Sequence, residues 1–198
     1  MTQIKAQPPD DRKLVEQARS GSQAAFRSLF ERYHAKIYRL AASMVGSSDD
    51  AHDIVQQTFI RAFSSLDGFK QQSSFYTWLY RIALNATTDY RRKQSTKLEK
   101  EAVRDRLDHG QGLEKIAAPT EQAPDERLYR KELAEVIRKA VDTLGQEHRE
   151  ILILREINGL SYTEITEITG LEPGTVMSRL HYARKNLAET LRRWKIPD

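Results

Sequence analysis

The hydrophobic positions of this chain recur at intervals of three and four residues, a period that suits helices and not strands. Leu14, Val15 and Ala18 mark a first short helix, opened by Asp10 or Asp11 and closed near Gly21. Ser22 is placed to cap a long second helix with the inner stripe Phe26, Leu29, Phe30, Tyr33, Ile37, Leu40 and Met44. Gly46-Ser47-Ser48 breaks the pattern. Asp49 and Asp50 then open a third helix, where negative charge suits the dipole, and its buried side is expected to be Ile54, Val55, Phe59, Ala62, Phe63 and Leu66. After a turn at Asp67-Gly68 and a polar loop, Phe75 to Lys93 reads as a fourth helix. No segment alternates with a period of two, so the expected fold is all-α.

Residues 94–126 differ in kind. They hold Gly110, Gly112, Pro119 and Pro124, charges of both signs and few large apolar side chains, which together read as a flexible linker. Within it, Leu98 to Leu107 has some helical character. The helical period resumes over 127–193, first with Leu133, Val136, Ile137, Ala140, Val141 and Leu144, then with Ile151, Leu152, Leu154 and Ile157. The expected organisation is therefore two small helical domains, 10–93 and 127–193, joined by the 94–126 linker.

The second domain contains the most specific local pattern, SYTEITEITGLEPGTVMSRLHYAR over 161–184. Ser161 followed by Glu164 is a capping box for a short helix with Ile165 and Ile168 facing inward. Gly170 suits a left-handed stop, and Pro173 suits the first turn of the next helix, where its missing N–H has no intrahelical partner. That next helix carries Val176, Leu180, Ala183 and Leu187 as one buried stripe. Gly174, Thr175, Met177, Ser178, His181, Tyr182, Arg184 and Lys185 occupy its other side, small and polar first and basic later. A recognition helix in a DNA major groove needs slim residues near base edges and cations near phosphates. A plain αα-hairpin shares the caps and the apolar stripe; the short first helix, the tight GLEP turn and the basic second helix favour helix-turn-helix.

Composition narrows the function classes. The 198 residues include no cysteine, which removes disulfides, thiol catalysis and cysteine zinc sites together. His34, His52, His109, His148 and His181 are scattered, so no metal site is expected. No phosphate-binding glycine loop, GxSxG elbow or carboxylate pair in an apolar surround is present, so no cofactor and no catalysis are expected. No apolar run approaches the roughly 18–20 residues needed to span a bilayer. The N-terminal MTQIKAQPPDDRK lacks the apolar core of a secretion signal, so the expected location is the cytoplasm and no membrane insertion is expected. A net charge of +4 permits nucleic-acid binding without establishing it.

Residues 75–93, FYTWLYRIALNATTDYRRK, are chemically unusual. Trp78, Leu79, Ile82, Ala83 and Ala86 suffice for a core stripe, which leaves Phe75, Tyr76, Tyr80 and Tyr90 interleaved with Arg81, Arg91, Arg92 and Lys93. Aromatic faces beside cations suit single-stranded nucleic acid, where bases stack and phosphates pair. Packing of the same aromatics against neighbouring helices is the competing reading. The preceding loop, Gly68 to Ser74, suits the rim of a pocket for an extruded base. On the third helix, Asp49, Asp50, Asp53, Gln56 and Gln57 form either a solvated face or a docking surface for a basic partner.

Three stretches, in order and at ordinary spacing, make the chain resemble the extracytoplasmic-function class of sigma-70-type initiation subunits. DIVQQTFIRAF (53–63) resembles the class's polymerase-docking helix, FYTWLYRIALN (75–85) its −10 and melting segment, and LREINGLSYTEITEITGLEPGTVMSRLHYAR (154–184) its −35-reading domain. The resemblance implies a non-catalytic subunit that binds core RNA polymerase, reads −10 and −35 promoter elements and helps melt DNA. It implies docking on the β′ clamp helices through Asp49, Asp50, Asp53, Gln56, Gln57 and Phe59, and seating of the second domain on the β flap. It implies −10 contacts from Phe63, Phe69, Lys70, Ser74, Phe75, Tyr76, Trp78, Arg81, Asn85, Arg91, Arg92 and Lys93. It implies −35 contacts from Pro173, Gly174, Thr175, Met177, Ser178, Arg179, His181, Tyr182, Arg184 and Lys185. An anti-sigma factor is a further implied partner.

The chain departs from the class where an acidic residue is usual at Gln57 and basic residues are frequent at Met177 and Tyr182. These departures leave the role of the recognition helix in place and its target sequence open. Two other readings account for part of the pattern: a helix-turn-helix regulator that needs no polymerase, and a sigma mimic that titrates an anti-sigma factor.

Overall fold

The computed structural model describes residues 10–105 and 126–194, and among them every regular element is helical. The chain divides near residue 90 into two compact units, residues 1–90 and 91–198.

In the first unit, α1 (Asp11–Arg19), α2 (Gln23–Val45) and α3 (Ser48–Ser64) are followed by a single 3₁₀ turn at Leu66–Gly68 and by α4, which starts at Phe75. The local signals act as expected at α2. The Ser22 side chain accepts from the Ala25 N–H, and Gly46 ends the helix in the left-handed conformation at φ +76°. At α3 the cap is Ser47, whose side chain accepts from Asp50, with Asp49 and Asp50 in the first turn. Asp10 stands at the α1 N-cap position without a side-chain cap bond. Asp11 instead reaches across to α2, accepting from the Arg32 guanidinium and from the Tyr33 hydroxyl. Burial, that hydrogen bond and the nearby carboxylate charge all hold the Tyr33 hydroxyl well above its ordinary pKa.

The core of this unit lies where α2 packs against α1 and α3. Leu14, Val15, Leu29, Ile37, Leu40, Ile54, Val55 and Ala62 are all buried there. Two members of the expected apolar stripes lie outside this core: Phe63 is 57% exposed and Phe30 is 37% exposed. Phe63 meets only the edge of the core, through the ring of Phe26 at 4.9 Å.

The largest departure is in α4, which runs from Phe75 to Asp105 rather than ending at Lys93. Residues 94–105 are therefore helix where a linker was expected, because they contain neither Gly nor Pro to stop the helix after Lys93. The remainder of the expected linker, 106–125, lies outside the described residues.

The second unit contains α5 (Glu126–Asp142), α6 (Gln146–Leu152) leading into a π turn (Ile153–Ile157), α7 (Tyr162–Thr169) and α8 (Pro173–Arg193). Helix α8 is the hub, packing against α5, α6 and α7. Val136, Ala140, Ile151, Leu154, Ile165, Val176, Leu180 and Ala183 are buried, whereas Ile137 and Ile157, members of the same apolar pattern, are 40% and 47% exposed. The C-terminus of α5 is closed by Arg149, whose guanidinium donates to the carbonyls of Val141, Asp142 and Leu144. The helix-turn-helix has the predicted stops. Ser161 and Glu164 form the reciprocal capping box, Gly170 is left-handed at φ +72°, and Pro173 sits at the start of α8. Replacing Ser161 by Ala removes the bond that satisfies the Glu164 N–H. We expect a loss of about 1 kcal/mol, read as a lower urea midpoint for this unit with an unchanged m-value.

Candidate nucleic-acid interface

The chemistry-bearing residues fall on three surfaces, two in the first unit and one in the second.

The first surface is the loop between the 3₁₀ turn and α4. Ser74 caps α4, accepting from the Thr77 N–H at 3.0 Å. Gln71 holds a left-handed backbone at φ +54°, an uncommon state for a residue with a Cβ and a sign that the loop is held in shape. An open recess of about 390 Å³ lies beside the loop, lined by Gly68, Phe69, Lys70, Gln72, Ser73, Trp78 and Arg81. Its wall includes a stacked aromatic pair, Phe69 on Trp78 at 4.8 Å between ring centres. Lys70, Arg81 and Asn85 are exposed in this unit, and Arg92 and Lys93 are exposed in the second.

The aromatic expectation needs correction here. Phe75 is buried against Tyr33 and Phe69, and Tyr80 is buried with its hydroxyl donating to the Lys36 carbonyl. Phe69 is buried too, and Tyr76 is half-buried between Tyr33 and Tyr80. Packing, the competing reading, therefore accounts for Phe75, Tyr80 and most of Tyr76. Trp78, half-buried, lines the recess. Tyr90 is half-buried. Arg91 is half-buried as well and, within the second unit, donates to the Asp142 carboxylate at 3.0 Å.

The second surface is the outer side of α3. Asp49, Asp53, Gln56 and Gln57 are exposed, and Asp50 is half-buried. Phe59, expected among the docking residues, is 5% exposed and packs on Phe30 at 4.7 Å and Phe26 at 6.5 Å. Besides Phe63, this helix presents Ile60, 60% exposed, which the sequence pattern passed over. One residue of register separates Phe59 from Ile60. The signal available for Ile60 was its position four residues after Gln56, on the same helical face as the polar row.

The third surface is α8. Gly174, Met177, Ser178, His181, Tyr182 and Lys185 form a continuous exposed row, with Pro173 exposed at its start and Thr175 half-buried beside it. Arg179 and Arg184 flank the row, and both are engaged. Arg179 pairs with Glu147 of α6 at 2.8 Å, and Arg184 donates through two nitrogens to one carboxylate oxygen of Glu156 at 3.0 and 2.5 Å. Glu156 belongs to the π turn, whose extra residue per turn shifts the residues beyond it around the helix axis. The turn is braced by Asn158, which donates its backbone and side-chain nitrogens to the Ile153 carbonyl, and by Arg155 lying over the Tyr162 ring.

Glu150 lies half-buried under this helix. Burial pushes its carboxyl above the ordinary value, Arg179 opposes that shift, and Glu147 adds to it. The fold thus favours the acid form, so this contribution is present below the unfolded-state pKa and is lost as pH rises through the raised value. Glu150→Gln imitates the acid form. We expect it to raise the melting temperature at neutral pH and to bring no gain near pH 4. Thermal melts of the full chain across that range check this; equal stability of both proteins at neutral pH would contradict it.

Helical units bearing a helix-turn-helix, with a polar row on the second helix of the motif, define a DNA-binding protein by their architecture. Residues 29–97 match Sigma-70 region 2, and residues 134–187 match Sigma-70, region 4. The chain is 36% identical to the ECF RNA polymerase sigma-E factors of Salmonella typhimurium and of Escherichia coli strain K12, in each case over 88% of this chain and 91% of the relative. Among solved structures it is similar to CnrH in complex with the cytosolic domain of CnrY, with 30% identity, a TM-score of 0.67 and coverage of 92% of this chain and 97% of that one. The chain belongs to the extracytoplasmic-function class of the sigma-70 family, the sigma factors that direct transcription by RNA polymerase. No helix of the described residues is long and apolar enough to cross a membrane.

Proposed function

We propose that this sigma factor binds core RNA polymerase, reads a −10 element with its first unit and a −35 element with its second, and helps hold the melted strand. The observation that carries the proposal is the separation of three exposed chemical surfaces over the two matched regions. These are an acidic and amide-rich row on α3, an aromatic-walled recess with cations beside it, and the polar row of α8.

Asp49, Asp50, Asp53, Gln56 and Gln57 form the docking row for the β′ clamp helices, and Ile60 supplies the apolar area that Phe59, being buried, does not. Gln57 brings one charge fewer than is usual, which weakens the salt dependence of docking more than its strength. At the −10 element, an unstacked base of the opened strand enters the recess walled by Trp78 and rimmed by Lys70 and Ser73, with Arg81 at its edge. Arg92 and Lys93 neutralise phosphates, and Asn85 offers a polar contact to the strand. Binding energy released only with the opened strand offsets the lost base stacking. Residues 173–185 enter the major groove at −35, while the second unit rests on the β flap. The subunit hydrolyses nothing; it changes which DNA conformation the polymerase stabilises. CnrH is described in complex with the cytosolic domain of CnrY, and the sigma factor RpoE of Bartonella quintana in complex with the anti-sigma factor NepR; an anti-sigma protein is accordingly proposed as the regulator of this chain.

The test is run-off transcription with purified core polymerase on genomic fragments, with start sites mapped by sequencing. The expected result is a set of core-dependent start sites that share two upstream elements. Promoter binding by the chain alone, with no effect of core, would replace this reading with a polymerase-independent regulator. Failure to bind either core or DNA would replace it with a sigma mimic.

A further inference from the structure

We infer that the leading turns of α8 read thymine rather than guanine in the upstream element, with Met177 against a thymine methyl group and no arginine left for a guanine edge. The inference rests on the −35 reading of this helix and deepens it by naming the base chemistry.

Each base shows a distinct edge in the major groove. Guanine presents two acceptors, which call for a paired donor such as an arginine fork. Thymine presents one acceptor and a methyl group, which call for apolar contact. A recognition helix addresses base edges mainly through its N-terminal residues. The exposed row there is Gly174, Met177, Ser178 and His181, with Tyr182 beside them; its first cation, Lys185, comes a further turn along. Met177 is 55% exposed and Tyr182 is 53% exposed. These two apolar groups are thus held on the outside of a helix whose own buried stripe is already complete with Val176, Leu180 and Ala183.

The arginines tell the same story from the other side. A bidentate contact to guanine needs two guanidinium N–H groups pointing one way. In Arg184 those groups already converge on Glu156, a residue carried by the π turn. In Arg179 the guanidinium bends back to Glu147 on α6, with a quarter of the side chain exposed. Both cations stand at the flanks of the row, where they suit phosphates alongside the groove better than base edges within it. Gly174 adds a second consequence. With no Cβ at that position, the helix start comes close to the DNA, and the unbranched Met177 side chain fits the irregular space beside a methyl group.

The test uses holoenzyme assembled from the full chain and core polymerase, on a promoter library with the upstream element randomised and the −10 element held constant. Selected elements are expected to carry thymine, on either strand, at one position or more. Replacing that thymine by deoxyuridine removes only the methyl group and is expected to lower holoenzyme affinity about three- to five-fold, the value of one buried methyl group. In Met177→Ala holoenzyme, deoxyuridine and thymine are expected to bind equally. Met177→Arg is expected to gain about tenfold preference for guanine at the same position. Arg179→Ala and Arg184→Ala are expected to weaken binding without changing base preference.

A selected guanine whose preference disappears with Arg179→Ala or Arg184→Ala overturns the inference. So does a holoenzyme that initiates normally but shows no deoxyuridine effect; both results leave the sigma assignment standing. Absence of core-dependent initiation from every template removes the assignment and the inference together.

Discussion

Ile165→Asp is expected to unfold the helix-turn-helix while leaving the row of α8 chemically unchanged. Ile165 sits in α7 with no exposed surface, and α7 packs directly on α8 and on the π turn. A carboxylate at this point would be buried with no partner, at a cost of about 3–5 kcal/mol. That is a large share of the 5–15 kcal/mol typical of a whole domain. The competent fraction falls accordingly, and apparent promoter affinity falls with it. Hydrogen exchange should show lost protection over 134–187 and retained protection over 11–90, and transcription from promoters that depend on the upstream element should fall about tenfold or more. Protection retained over 134–187 would mean that α7 is dispensable for the packing of α8, contrary to the structure.

A second large effect separates packing from docking on one helix. Phe59→Ala is expected to destabilise the first unit by about 3–5 kcal/mol, because it removes the ring that Phe26 and Phe30 pack against and leaves a cavity in place of a buried aromatic. Asp53→Ala and Gln56→Ala, at exposed positions, should leave stability within about 0.5 kcal/mol. Their effect should appear as weaker binding to core polymerase, about tenfold, a change worth ~1.4 kcal/mol. Urea denaturation and a core-binding titration on the same three variants decide the matter. Docking loss in Phe59→Ala at full stability would return Phe59 to the interface. Unchanged binding in both exposed variants would move the polymerase contact off this face of α3.

The two effects bear on how legible this protein is in its amino-acid order. Helix starts and stops were plain wherever a short polar side chain or a glycine acts within four residues of itself. Ser22, Ser161 with Glu164, Gly46 and Gly170 all do locally what their chemistry predicts. Buried faces were legible where one stripe stands alone, as with Val176, Leu180 and Ala183, with Leu187 at the end of that stripe half-buried. Legibility failed where a helix has apolar residues on more than one side. Phe75 and Tyr80 looked surplus to the stripe of α4 because a helical wheel shows one helix and not its neighbours. In the fold, Tyr33 and Phe69 close over Phe75, and the carbonyl of Lys36 receives the Tyr80 hydroxyl. Phe59, Ile60 and Phe63 show the same limit, since a single step around α3 separates core from surface.

What the sequence determined by itself was thus the all-helical class, the position of the turns, the helix-turn-helix and the residue types offered to a partner. These follow from interactions within a few residues, where spacing alone brings groups together. Tertiary structure decided which aromatics are buried and which distant charges pair. Asp11 meets Tyr33, Arg179 meets Glu147 and Arg184 meets Glu156 over separations of 22, 32 and 28 residues. No local period encodes such meetings. They exist because burying the apolar stripes brings those elements together, and the polar groups at their edges then pair with whatever charge the packing puts within reach.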